Sequence, residues 1–251
     1  MIKTVILGNG NLGTHLCQAF EKNENILLLQ NYNRSGKPIL NCNVPVTSEI
    51  STITNAEVYI LAFDDSALYE LSAFKDLNGL VVHTSGATSI EVLQSFTNHG
   101  VFYPVQSFKA TIPVNFLEVP IAIEANSVLS EKILVSLANA ISNQVYRVDS
   151  TQRKALHVAA VFANNFSNFM YTQAIEICEE HKLDFSILKP LIFETINKLE
   201  NNSPKQLQTG PAIRNDLKTI NNHLAMLQNE THYKLYKHIT ESIQNYYGKK
   251  L

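Results

Sequence analysis

The 251-residue sequence predicts an α/β protein, a doubly wound parallel sheet followed by an all-helical C-terminal domain. Three features predict it. Short, continuous apolar runs alternate with helical stretches through the first half, as strands buried on both faces do. A glycine-rich turn joins the first run to the first helical stretch. After residue 150 the strand-like runs stop and helical spacing takes over, which divides the chain into a domain 1–150 and a domain 151–251.

Thr4-Val5-Ile6-Leu7 reads as the first strand by its β-branched content. A helix follows over 11–21, where Leu12, Leu16 and Phe20 recur at helical spacing. Further strands are expected at 26–29, 58–62, 79–83, 100–103, 121–123 and 144–148, with helices at 66–74, 89–97 and 130–141. Asp149-Ser150-Thr151-Gln152 fits a capping box and opens a long helical run over 152–181. Helices at 185–199, 213–228 and 231–247 follow, broken by Asn201-Asn202-Ser203-Pro204 and Thr209-Gly210-Pro211.

With 45% hydrophobic and 17% charged residues, the chain has the composition of a globular protein. A net charge of −2 offers no basic surplus for gripping phosphate backbones, so no nucleic-acid partner is expected. No apolar run approaches the roughly 20 residues of a membrane span, and no membrane partner is expected. Met1-Ile2-Lys3 passes straight into an apolar run, which leaves no room for a signal peptide. Cys17, Cys42 and Cys178 are scattered, without metal-ligand spacing, and read as ordinary thiols of a reducing compartment. The expectation is a cytoplasmic enzyme or small-molecule binding protein.

Gly8-Asn9-Gly10-Asn11-Leu12-Gly13 matches G-x-G-x-x-G between a strand and a helix, the context that the motif requires. Gly8 permits the tight turn, Gly10 lets the backbone approach a pyrophosphate, and Gly13 lets helix and strand pack closely. The unpaired N–H groups of the helix then face the phosphates. A plain glycine turn and a methyltransferase loop are alternatives, and the helical second domain suits a dehydrogenase better. The pattern makes the first domain Rossmann-type. At the end of the second strand, where an acid would hold the ribose 2′-hydroxyl of NAD, the chain has Asn33-Arg34-Ser35. Arg34 offers a fork of donors suited to a 2′-phosphate, and Asn33 and Ser35 add neutral donors, so the expected cofactor is NADP(H); a solvated loop at Arg34 and Lys37 is the alternative.

Ligands of such sheets bind beyond the carboxyl ends of the strands. Ala62 and Phe63 are expected near the nicotinamide ribose, and Asp65 or Ser66 either caps the next helix or meets a ligand. Ser85, in His83-Thr84-Ser85-Gly86, and Gln106, after Tyr103-Pro104-Val105, either contact substrate or shape turns. In the long helix His157 and Asn164 are seven residues apart and share a face, with Lys154 and Asn165 on an adjoining stripe. Such a stripe borders a wet pocket or is satisfied inside the core. Later, Asp216, Thr219 and His223 follow i, i+3, i+7 spacing. This row anchors substrate, relays a proton or lines a solvated face, and Arg214 nearby is suited to a substrate carboxylate.

At these motifs the chain resembles the Rossmann-like NADP oxidoreductases that carry a C-terminal domain of unknown function 2520. The resemblance rests on Gly8 to Gly13, Asn33-Arg34-Ser35, His83 to Gly86, Gly100 to Phe108, Leu156 to Phe166 and Thr209 to Asp216. It implies an NADP-binding N-terminal domain and a helical domain similar to those of the 6-phosphogluconate dehydrogenase-like group, which includes pyrroline-carboxylate and ketopantoate reductases. It also implies a homodimer formed through the helical domain. Hydroxyacid dehydrogenases of that group use a helical Lys followed four residues later by Asn. Here Lys154 is followed at that distance by Val158, which moves the expected proton donor to His157.

Residues and resemblance together predict an NADPH-dependent reductase of a small carbonyl or imine, with ketopantoate the most concrete substrate. His157 is the expected general acid, oriented by Asn164. Asp216 and His223 assist, and Arg214, Ser85 and Gln106 bind substrate. The alternative is a non-catalytic NADP-binding sensor or regulatory subunit.

Overall fold

The apolar runs of the first half become one sheet in the computed structural model, which describes residues 1–248. In chain order the elements are β1 (Ile2–Leu7), α1 (Asn11–Glu21), β2 (Ile26–Tyr32), β3 (Val46–Thr47), β4 (Val58–Leu61), β5 (Leu80–His83), β6 (Asn98–Pro104), β7 (Ile121–Ala125), α2 (Val128–Ile141) and β8 (Val145–Arg147). The spatial order is β3-β2-β1-β4-β5-β6-β7-β8, so the chain reverses direction across the sheet beside β1. That reversal is the switch point where open α/β sheets bind ligands. Every neighbouring pair is parallel except β6 with β7, which are antiparallel. The segment joining them forms only a short 3-10 turn at Phe116–Glu118, and without a crossover helix the chain returns in the opposite direction.

Successive residues of the central strands point to opposite faces. Ile6 and Ile60 pack with Leu16 and Phe20 of α1 and Leu134 and Leu137 of α2. Val5, Leu7, Tyr59 and Leu61 face the other way and pack with Leu68, Leu71 and Phe74. Each such fully buried Leu or Phe contributes about 1.5–3 kcal/mol relative to an exposed one.

Two expected helices form as 3-10 turns instead. Residues 66–74 fold as Asp65–Tyr69 and Ser72–Phe74, and residues 89–97 as Ile90–Leu93. The buried residues explain it: Leu68, Leu71 and Phe74, and again Ile90, Leu93 and Phe96, recur every third position. That spacing matches the 3-10 period of three residues per turn.

The long helical run is also interrupted. It begins as α3 (Ser150–Ala160), with the Asp149–Gln152 capping box formed as expected, and passes into a π-helical stretch at Val161–Phe166. Contacts divide the chain into two compact units, Met1–Phe166 and the residues from Ser167 onward. The change from sheet to helix near residue 150 therefore precedes the division between units, because α3 packs with the sheet. The second unit comprises α4 (Ser167–Glu180), α5 (Lys189–Asn197), α6 (Pro204–Leu207), α7 (Leu217–Met226) and α8 (Glu230–Tyr247). Among the described residues no helix is long and apolar enough to cross a membrane.

Candidate active site

The glycine turn has the geometry that its motif requires. Gly8 adopts φ +116°, and a Cβ there would lie 2.3 Å from the Ala62 carbonyl oxygen. A Cβ on Gly13 would lie 2.4 Å from the Gly8 carbonyl oxygen, so only glycine lets α1 start so close to β1. Gly10 differs from both: a Cβ there would meet no atom within 4 Å. Its position is open because the backbone borders empty space at the start of α1. Gly10 is also the N-cap residue and supplies no side-chain cap, and Asn11 and Leu12 follow it in the first turn. The first N–H groups of α1 are thus left for an anion. Asn31, fully buried on β2, fixes the turn from below by donating to the carbonyl oxygens of Ile6 (3.0 Å) and Gly8 (2.9 Å).

The segment after β2 is tied to this turn by Asn9, whose amide donates to Ser35 Oγ at 3.3 Å. Asn33 is buried, and its amide groups already serve the loop. They donate to Asn31 Oδ1 and the Lys37 carbonyl oxygen and accept from Ser35 Oγ and Lys37 N. It shapes the loop that presents its neighbours. Arg34 is exposed and has no hydrogen-bond or ion-pair partner among the described residues, which leaves its donor fork available. Ala62 and Phe63 are half-buried where β4 ends, beside Gly8.

Further along the same edge, β5 runs into a locked loop. Ser85 is buried, its hydroxyl donating to Thr88 Oγ1 at 3.0 Å and accepting from the N–H groups of Ala87 and Thr88. Its side chain therefore holds the turn. Arg153 of α3, fully buried, donates to the carbonyl oxygens of Ser85 and Thr88 and pairs with Glu124 of β7. Burial lowers the Arg153 pKa, and Glu124 opposes that shift. One helical turn later on α3 stands His157, whose Nδ1 is 3.2 Å from the hydroxyl of Tyr103 at the end of β6. Gly86 lies beneath the pair: a Cβ on it would fall 2.7 Å from His157 Nδ1 and 2.8 Å from Tyr103 Cζ. Gln106 is exposed just beyond β6 and accepts from Ser107 N.

His157 and Asn164 do not share a stripe as expected. Seven-residue spacing returns to one face only in a regular α-helix. The π-helical stretch at Val161–Phe166 turns each residue through a smaller angle, which carries Asn164 away from that face. Asn164 is exposed and makes no hydrogen bond to His157.

The model of a domain of unknown function, DUF2520, matches residues 119–243. A crystal structure of a protein from Bacteroides fragilis, provisionally named an NADP oxidoreductase, is 36% identical. It covers 97% of this chain and 98% of its own, with a TM-score of 0.90. The chain belongs to the DUF2520 family of Rossmann-type NADP oxidoreductases. An imine reductase from Myxococcus stipitatus in complex with NADP+ shares the fold at 13% identity and a TM-score of 0.66, covering 98% of this chain and 96% of its own. The 1-pyrroline-5-carboxylate reductase of Streptococcus pyogenes shares it at 12% identity and a TM-score of 0.67, covering 97% and 98%. No curated protein sequence matches.

In the helical unit of this DUF2520 oxidoreductase the expected row separates into two pairs. Asp216 is the N-cap of α7, accepting from Thr219 N at 3.1 Å and Thr219 Oγ1 at 2.7 Å, and these bonds lower its pKa. His223 instead meets the Tyr236 hydroxyl of α8 through Nδ1 at 2.8 Å. Both rings border a cavity of about 540 Å³ within this unit, walled by apolar residues such as Met170, Ile177, Leu235 and Ile239. Arg214 is exposed, and its charge adds to the lowering of the Asp216 pKa.

Sequence reasoning missed Asn31, Tyr103, Arg153 and Glu124. Arg153 stands in the polar first turns of α3, beside Gln152 and Lys154, where a cation gives no sign of burial. Nothing in the sequence pairs it with Glu124, 29 residues away.

Proposed function

We propose that this chain is an NADPH-dependent reductase of a small carbonyl or imine compound. The observation that carries this reading is the Gly8–Gly13 turn. Gly8 and Gly13 are jammed against protein atoms, Gly10 borders open space at the start of α1, and the Asn9–Ser35 bond brings the Arg34 loop beside it. In this reading the turn holds the pyrophosphate, Arg34 and Ser35 hold the 2′-phosphate, and Ala62 and Phe63 border the nicotinamide ribose. NADPH supplies the hydride. His157 supplies the proton, Arg214 binds a substrate carboxylate, and ketopantoate is the first substrate to try. The reading extends to a homodimer formed through the helical unit. No residue of α5 is buried, and Leu191, Phe193 and Ile196 are 64%, 62% and 51% exposed. A helix that apolar needs a cover.

The test is a parallel titration with NADPH and NADH by nicotinamide fluorescence, in a chain without tryptophan. NADPH is expected to bind at least tenfold more tightly, and Arg34→Ala to abolish the difference. Equal binding of the two cofactors overturns the role of Arg34. Binding without turnover of any carbonyl or imine favours the non-catalytic NADP sensor, and sedimentation velocity tests the dimer.

A further inference from the structure

Tyr103 reaches the candidate site at the end of β6 and is only 9% exposed. Its ring meets that of His157 edge to face, with centroids 6.1 Å apart, and its hydroxyl is the partner of His157 Nδ1. Gly86 makes the approach possible, since any side chain there would occupy the space of both rings. Arg153 fixes the other half of the geometry. Its bonds to Ser85, Thr88 and Glu124 pin α3 to the loop and to β7, and so set where His157 stands one turn later.

The charges around the phenol come from several elements. Burial pushes the Tyr103 pKa up, the Arg153 guanidinium on α3 pulls it down, and the Asp65 carboxylate just after β4 pushes it up again. The net effect is upward, so the phenol carries its proton at neutral pH, and it donates that proton to Nδ1 in the tautomer of His157 that leaves Nδ1 unprotonated. A neutral His157 that accepts at Nδ1 holds its own proton on Nε2. Giving up the Nε2 proton alone would leave an imidazolate, a costly anion at neutral pH. A proton arriving at Nδ1 removes that cost.

We propose that Tyr103 is the terminal proton source for the reduction, acting through His157, an inference that rests on the reductase reading. As the anion develops on the carbonyl oxygen or imine nitrogen of the reduced substrate, the His157 Nε2–H bond breaks and its proton bonds to that atom. The Tyr103 O–H bond breaks with it, and that proton bonds to Nδ1. The imidazole stays neutral in its other tautomer. The negative charge passes from substrate to the Tyr103 oxygen, where Arg153 stabilises it, and a proton from water restores the phenol.

The relay is tested first without substrate, on the full chain labelled with 15N-histidine, with His157 assigned by its loss in His157→Gln. The expected spectrum shows the neutral His157 ring with its proton on Nε2, and Tyr103→Phe shifts the ring toward the tautomer mixture of free histidine. A purely packing role for Tyr103 would leave the tautomer unmoved. Tyr103→Phe is further expected to leave the NADPH Kd within twofold, and to lower kcat at least tenfold with KM little changed, using ketopantoate and 1-pyrroline as probes. A His157 proton on Nδ1, or a Tyr103→Phe kcat within twofold of wild type, overturns the relay alone. A wild-type chain that binds no NADPH, or turns over no carbonyl or imine, overturns the reductase reading and the relay together.

Discussion

Acid should weaken the first unit through a single side chain, His83. This ring is fully buried at the end of β5. Burial first, and the nearby Arg153 charge second, lower its pKa to about 3. An unfolded histidine titrates near 6.5. Below that pH the unfolded chain takes up a proton that the fold refuses until about pH 3. The contribution of His83 to stability is therefore whole above pH 6.5 and is lost progressively as pH falls from 6.5 toward 3. Each unit in that window costs about 1.36 kcal/mol. Going from pH 7 to pH 5 crosses about 1.5 units of it, a loss of about 2 kcal/mol or roughly 30-fold in the opening equilibrium. The comparison is His83→Asn, whose side-chain oxygen replaces Nδ1 as acceptor of the Ser85 N–H (3.1 Å) and does not titrate. The two units need not unfold together, so the measurement is amide hydrogen exchange in peptides spanning β5, corrected for intrinsic rates, at both pH values. Wild type should lose about 2 kcal/mol more than the variant. A pH dependence equal in the two proteins, within about 0.5 kcal/mol, would refute the reasoning.

Further predictions follow from single contacts. Gly10→Ala should leave the melting temperature unchanged, because its Cβ meets nothing, yet weaken NADPH at least tenfold by occupying the space assigned to phosphate. Gly13→Ala should lower both stability and NADPH affinity, since its Cβ strikes the Gly8 carbonyl, and thermal melts with and without NADPH separate the two variants. Glu124→Gln should destabilise the first unit by about 3–5 kcal/mol in urea unfolding, because it leaves the buried Arg153 charge without its counterion. Asp216→Ala should lower the melting temperature of the helical unit and Asp216→Ser should restore it, as expected of an N-cap. Loss of activity in the cap-competent Ser variant would show that Asp216 acts in chemistry as well.

The fold was legible wherever a local pattern and its tertiary use coincide. The run around Val5 is apolar because β1 is buried on both faces. The spacing of Leu12, Leu16 and Phe20 matches α1, which runs over the expected residues. The Asp149–Gln152 capping box is purely local, and it formed. The failures occur where two periods are close. Leu68, Leu71 and Phe74 satisfy an i, i+3 rule shared by α- and 3-10 helices, so their spacing does not decide between the two. The stripe of His157 and Asn164 failed for a related reason, since an angle carried over seven residues is sensitive to one change of helical pitch. The pairing that replaced it, His157 with Tyr103 over Gly86, draws on three segments far apart in the chain, so no spacing rule could have proposed it.

The helical unit carries this reasoning a step further. α5 is rich in apolar residues, yet none of its residues is buried. Period and hydrophobicity say only that a surface is to be covered. They do not say that this chain's own residues will cover it. Leu191, Phe193 and Ile196 spread around α5 rather than along one stripe, so burying one face against a neighbouring helix would still leave others in water. A cover reaching all of them must approach from more than one side. The homodimer proposed above would supply part of that cover, since in a two-fold dimer each chain presents the same apolar residues to the other.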